Sequence, residues 1–258
     1  MQRLIWAVTD DLTSDDFLGG KVRAFQPRKG YRAGVDPVLL AAFTRAKSGQ
    51  SVLELGCGVG VASLCLAARV PELARTGGEI QGSYADLASR NAAANGAAFE
   101  VVTADLRALP ADLRQRRFDH VIMNPPYFDR AVGTASDDAG RDTALRGATP
   151  LKDWLDIGIR RIAPKGYLSL IQRMERLPEV LRGIEGRLGS IIVKPVAGRV
   201  GRAPERFLLQ ARQEGRAAFR MAPMLIMHDG ATHQGDQESY TPQVQAILRN
   251  GAELPTGL

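Results

Sequence analysis

The sequence predicts a doubly wound α/β fold, with a mainly parallel seven-stranded sheet and helices on both faces. Three observations carry this. Short apolar stretches alternate with helix-period stretches along most of the chain, the pattern of repeated βαβ units. The first apolar stretch runs directly into glycines that open a helix, a turn that brings backbone close to a ligand. The length of 258 residues and the 45% hydrophobic content suit one domain that buries its own core.

Residues 1–48 are expected to be an N-terminal elaboration of that single domain, and residues 49–258 its core. Within the elaboration, Leu18-Gly19-Gly20-Lys21-Val22 predicts a hairpin or loop. Asp36 before Pro37 suits a helix N-cap with proline at the first helical position. The helix is expected to run to about Lys47 and to lie over the pocket, cap the sheet edge, or do both. The seven strands are expected at 51–55, 78–81, 99–103, 118–123, 166–171, 190–193 and 207–211. Helices are expected at 61–70, 84–95, 151–162 and 175–188. Residues 129–150 are polar, rich in Gly, Asp and Arg, and without hydrophobic period. Such a loop is usually a functional lid or disordered.

Composition excludes several classes. No apolar run approaches the roughly 20 residues of a membrane span. The start turns acidic at Asp10-Asp11, where a signal peptide needs a long apolar stretch. Cys57 and Cys65 are too few for a disulfide framework or a zinc site. His120, His228 and His233 lack ligand spacing, so no metal is expected. The chain is expected to be soluble and cytoplasmic. Its net charge of +6 and pI of about 9.6 fit either solubility alone or a polyanionic partner such as nucleic acid.

The strongest local signal is Val52-Leu53-Glu54-Leu55-Gly56-Cys57-Gly58-Val59-Gly60. The glycines run G-x-G-x-G, and Val61 stands where the dinucleotide fingerprint needs its third glycine. No Gly-Lys-Ser/Thr follows, which excludes a P-loop. With Glu54 ahead of Gly56, Gly58 and Gly60, the segment resembles the first motif of the class I S-adenosylmethionine-dependent methyltransferases. That resemblance implies a Rossmann-like methyltransferase sheet, S-adenosyl-L-methionine as cofactor, and a turn that wraps its methionine part. It assigns Glu79, at the end of the second strand, to the ribose hydroxyls. A carboxylate accepts two such donors in a fork. It assigns Asp105, after the third strand, to the adenine amino group. Asp105 also suits a helix N-cap, and the two roles are compatible.

The fourth strand ends in Asn124-Pro125-Pro126-Tyr127. Two prolines restrict the backbone and remove two donors. The Asn124 side-chain oxygen and the Pro125 carbonyl can then point at one place. Two adjacent acceptors suit an NH2 group, and holding both hydrogens aims the nitrogen lone pair at the cofactor methyl. Tyr127 offers a face for a planar substrate. The tetrapeptide resembles the motif of amino-nitrogen methylases, which act on base amino groups or on glutamine side chains. This resemblance makes Asn124, Pro125, Pro126 and Tyr127 the catalytic residues, with Asn124 also among those that bind the cofactor.

The G-x-D-x-V-L-L pattern at Gly34–Leu40, the tetrapeptide, and the later stretches Arg206–Gln210, Met224–His228 and Tyr240-Thr241 together resemble one bacterial group. These are the tRNA(Val) adenine-N(6) methyltransferases, and the likeness implies RNA, specifically tRNA, as partner. The loop after Tyr127 departs from any pattern of that group. Between Lys194 and Arg220, seven basic residues stand against Glu205 and Glu214. Lys194, Arg199, Arg202, Arg206, Arg212, Arg216 and Arg220 form either a phosphate-contacting surface or a solvated face. Methylation of a glutamine or small amine is the second enzymatic reading. A non-catalytic cofactor- or RNA-binding module on the same fold is a third. Oligomeric state is left open.

Overall fold

The computed structural model describes residues 11–127, 149–230 and 239–256. Trp6, expected as a packing residue, His233 and nearly all of the 129–150 loop lie outside them. The chain opens with an antiparallel hairpin, β1 (Leu12–Phe17) and β2 (Val22–Pro27). Its turn is Leu18–Gly20, where Gly19 and Gly20 take positive φ. Two asparagines one turn apart on α3 (Gly82–Ala94) and at its end dock this hairpin. Asn95 bonds the N–H and carbonyl of Arg23. Fully buried Asn91 accepts from the Phe25 N–H at 2.7 Å and donates to the carbonyls of Phe25 and Val59.

Helix α1 (Val35–Phe43) corrects two expectations. Its N-cap is Gly34, and Asp36 lies inside the first turn without capping it. The Asp36 carboxylate is engaged elsewhere, by Tyr127 and Arg206. The helix also stops at Phe43, four residues early, because Thr44 turns extended and the Leu254 N–H takes the Ala42 carbonyl.

All seven expected strands exist: β3 (Ser51–Leu55), β4 (Ala74–Glu79), β5 (Glu100–Thr103), β6 (Phe118–Met123), β7 (Ile162–Arg173), β8 (Gly189–Ala197) and β9 (Arg206–Arg212). Two further strands of two residues each, β10 (Arg220–Met221) and β11 (Leu225–Ile226), pair with β8 and bring the sheet to nine. They are too short to show period. The order is β10-β8-β9-β7-β6-β3-β4-β5, with β11 also on β8. β9 is antiparallel to both neighbours, and the other pairs are parallel.

Both faces of the sheet are covered, so its strands alternate between two apolar clusters. Leu53 and Leu55 of β3 point to one, with Trp154 and Leu155 of α5 (Leu151–Arg161), Val180 of α6 (Leu177–Ile184) and Leu113 of α4 (Ala111–Gln115). Val52 points to the other, with α1, α2 (Val61–Arg69), the hairpin, and Val244 and Ile247 of α7 (Pro242–Asn250). Such double coverage explains why the strands read as continuous apolar runs. No helix among the described residues is long and apolar enough to cross a membrane.

Candidate active site

Sheet order reverses between β3 and β6, which is where doubly wound sheets bind ligands, beyond the carboxyl ends of the strands. Leu55 pairs with Met123 in register. Each is the last residue of its strand. Gly56 and Asn124 therefore leave the sheet at the same level on neighbouring strands, about 5 Å apart. This register brings together the two motifs that the sequence separates by more than sixty residues.

The glycine turn is built from left-handed backbone. Gly56, Gly58 and Gly60 have φ of 63°, 54° and 87°. A Cβ at Gly56 would run into the Trp154 ring. Donors in the turn are tied to the end of β4: the N–H groups of Gly56 and Cys57 both reach the Gly78 carbonyl, at 2.8 and 3.1 Å. Glu79 completes this knot. One carboxylate oxygen accepts from the Gly58 N–H and the other from the Gln81 N–H, each at 2.9 Å. A carboxylate offers about four acceptor sites, so two remain for incoming donors.

Glu54 is buried and turned toward α2, where Ser63 donates its N–H at 3.0 Å and its hydroxyl at 2.5 Å. Burial pushes its pKa up to about 7, against the pull of the Ser63 bonds, and neighbouring Glu79 adds to the rise. Asp105 caps the short turn Leu106–Ala108 through the Arg107 N–H and pairs with the Arg107 guanidinium, which holds its carboxyl below the usual range. Cys57 is buried, and burial together with Glu54 and Glu79 pushes its thiol well up. It packs rather than reacts.

On the β6 side, Pro125 is buried and its carbonyl already accepts one bond, from Nε2 of fully buried Gln172 at 3.2 Å. The second lone pair of that carbonyl faces no described donor. Asn124 is half-buried beside it. The Tyr127 hydroxyl donates to Asp36 Oδ2, and Arg206 pairs with Asp36 Oδ1. Burial and the Asp36 charge push the Tyr127 pKa far up, so the hydroxyl stays protonated.

The motifs do not mark three residues of this site. Gln172 sits at the end of a strand with nothing around it to mark it. Tyr31 lies against Gly58. Half its surface is exposed, yet burial of its hydroxyl end, with Asp36 and Glu54 nearby, pushes its pKa up to about 12. Tyr31 lies in the segment that leads into α1 and reaches the glycine turn. Arg206, expected with the basic run on either a phosphate-contacting surface or a solvated face, is instead paired with Asp36. Lys194 is likewise buried, with Nζ on the Pro223 carbonyl. Arg199 bonds the Asp229 carbonyl and the Ser239 hydroxyl. Arg202, Arg216 and Arg220 are exposed.

The fit to S-adenosylmethionine rests on this cradle. Only glycine tolerates its φ values without strain, the carboxylate of Glu79 is held at its rim, and Glu54 places an ionisable acid beneath it. Comparisons agree. Residues 34–141 match the family model described as the methyltransferase small domain. A predicted O-methyltransferase from Agrobacterium tumefaciens has the same fold, at 27% identity and a TM-score of 0.66 over 84% of this chain and 95% of that one. A 16S rRNA N2 G1207 methyltransferase of T. thermophilus, solved with AdoMet and guanosine, shares the fold at 20% identity and a TM-score of 0.54, over 79% of this chain and 50% of that one. The tRNA1(Val) (adenine(37)-N6)-methyltransferase of Porphyromonas gingivalis is 31% identical over 209 residues, 76% of this chain and 81% of that protein. The glycine cradle, the proline-paired turn beside it and this likeness along most of the chain agree: the protein belongs to the tRNA1(Val) (adenine(37)-N6)-methyltransferase family of S-adenosylmethionine-dependent methyltransferases.

Proposed function

We propose that this chain methylates the exocyclic amino nitrogen of an adenine in tRNA, acting as a single methyltransferase domain in the cytoplasm. The observation that carries the reading is the register of Leu55 with Met123, which sets the cofactor turn and Asn124-Pro125-Pro126-Tyr127 side by side. S-adenosylmethionine supplies an electrophilic methyl on a cationic sulfur. Glycines 56, 58 and 60 wrap its methionine part, Glu79 takes the ribose hydroxyls, and Asp105 takes the adenine amino group. Glu54 lies below the turn and offsets positive charge there.

The acceptor side holds the substrate amine. Asn124 Oδ1 and the free lone pair of the Pro125 carbonyl accept its two hydrogens. Gln172 keeps that carbonyl from swinging away. Tyr127 presents its ring face to the base, and Asp36 fixes the ring through the hydroxyl. Two acceptors side by side favour an amine over a hydroxyl, which has one hydrogen to give. The Tyr127 hydroxyl does not ionise, so the chain works by positioning and by excluding water. The target base must leave its stack, which costs least in a single-stranded loop.

The test is single-turnover methyl transfer to unmodified tRNA, with nucleoside mass spectrometry to identify the product. Wild type should yield N6-methyladenosine. Asn124→Ala should slow transfer by about a hundredfold or more, as for loss of one positioning hydrogen bond, with S-adenosylhomocysteine affinity nearly intact. Wild-type rates from Asn124→Ala would refute the amino-methylation reading.

A further inference from the structure

The basic run between Lys194 and Arg220 is divided by topology. β9 runs antiparallel to β7, with Arg206 opposite Arg173 and Arg212 opposite Tyr167. Arg206 therefore lies at the edge that carries the methyl-transfer site, and Arg212 at the opposite edge, about 20 Å away at 3.3 Å per residue. There Arg212 meets three cations from other parts of the chain.

A cavity of about 400 Å³ opens at this far edge, lined by Arg45 and Lys47 after α1, Lys165 in β7, and Arg212. A bulge in β7 puts Lys165 there. Phe118 pairs with Ile162 but His120 pairs with Tyr167, so residues 163–166 loop out against Asp119. Lys165 holds the left-handed φ of 63°, a conformation that persists in a non-glycine residue only where its surroundings impose it. Arg212 Nε on the Lys165 carbonyl, at 3.1 Å, and the Gln213 N–H on the Gly166 carbonyl, at 2.9 Å, hold the bulge.

Cations outnumber anions in this cavity. Its one acid, Asp119, is turned inward, accepting from the N–H and hydroxyl of Ser51 at 2.8 Å. Arg45 has Glu253 at 3.7 Å, with both side chains about half exposed, a weak pair. The floor is rigid and neutral. His120 stacks on Tyr167 with centroids 5.4 Å apart. Its Nε2 meets Gln50 Oε1, which also accepts the Lys47 N–H and so fixes where Lys47 leaves the backbone. The buried Nδ1 has no partner among the described residues.

We propose that this cavity is a second ligand site, apart from the methyl-transfer site, taking a phosphate-bearing anion. Four basic residues line a concave surface whose only carboxylate is already bonded, and the volume falls within the range of small-ligand sites. A free polyphosphate ester and a phosphate of the RNA backbone offer the same chemistry.

Tripolyphosphate is the probe, titrated by calorimetry into the full chain with S-adenosylhomocysteine saturating. Saturable one-to-one binding is expected. The double variant Lys47→Ala, Lys165→Gly should weaken it at least tenfold and leave S-adenosylhomocysteine affinity unchanged. Glycine accepts the left-handed backbone at 165, so the fold should survive, and a thermal melt checks this. Absence of saturable binding in wild type, or equal affinity in the double variant, overturns the proposal. Binding of unmodified tRNA then separates the two sources. If the RNA backbone is the occupant, the double variant lowers the salt slope by about 0.7–0.9 per lost contact. If a free ester is, the slope is unchanged and only tripolyphosphate binding falls.

Discussion

The Tyr127 hydroxyl lies 2.5 Å from Asp36 Oδ2, joining residues 91 positions apart. Arg206 holds the other oxygen of the same carboxylate. Three segments that looked like separate family marks (the G-x-D-x-V-L-L helix, the proline-paired turn and the seventh strand) thus meet in one side-chain chain. Tyr127 supplies the ring, Asp36 sets its plane, and Arg206 sets Asp36.

That chain predicts a graded mutant series. Tyr127→Phe keeps the ring face and loses only the bond to Asp36, so single-turnover methyl transfer should slow only severalfold. Tyr127→Ala removes the stacking face and should be severe. Asp36→Ala should fall between them and leave S-adenosylhomocysteine affinity near wild type, since neither Asp36 nor Tyr127 bonds the glycine turn. Transfer at the wild-type rate in Asp36→Ala would show that the ring needs no anchor.

Glu79 has two duties, and its loss should register in cofactor affinity. It ties Gly58 and Gln81 through both oxygens and keeps acceptor sites for hydroxyl groups. Glu79→Ala should weaken S-adenosylhomocysteine by about 1.5–3 kcal/mol, read by calorimetry. Glu79→Gln retains one acceptor oxygen and should lose less. Equal affinity in wild type and Glu79→Ala would remove the residue from the site.

Glu54 predicts a pH dependence. Burial lifts its pKa from 4.5 to about 7 in the folded protein. Above pH 4.5 the unfolded chain releases this proton before the folded one does, so stability falls as pH rises from 4.5 to 7 and then levels. The loss is on the order of 3 kcal/mol. Glu54→Gln should flatten that stretch in chemical-denaturation curves of the ligand-free protein. A cationic cofactor favours the ionised acid. Its binding at pH 7 should therefore release protons, detectable as a buffer-dependent binding enthalpy that Glu54→Gln abolishes.

Arg202 is exposed in the turn between β8 and β9, on the edge that carries the site. Arg202→Ala should lower the salt slope of tRNA binding by about 0.7–0.9 without changing transfer at saturating tRNA. An unchanged slope would assign Arg202 to a solvated face.

Local chemistry made much of this readable in the chain. The glycines at 56, 58 and 60, the prolines at 125 and 126, and the apolar strands announce themselves because backbone geometry restricts what residues can stand there. Pairings made through tertiary structure do not. Asp36 beside Pro37 has the local pattern of a cap, and only the sheet shows that Tyr127 and Arg206 claim its carboxylate. The arginines between 199 and 220 look like one patch, since charge along a sequence says nothing about strand direction. Gln172 carries no local mark at all.

Asn91 donates both to Phe25 in the hairpin and to Val59 in the glycine turn. One buried amide therefore couples the N-terminal ribbon to the cofactor cradle as a single opening unit. Slowed amide exchange at Phe25 should report cofactor occupancy from the hairpin, because fastening the cradle closes the ribbon with it.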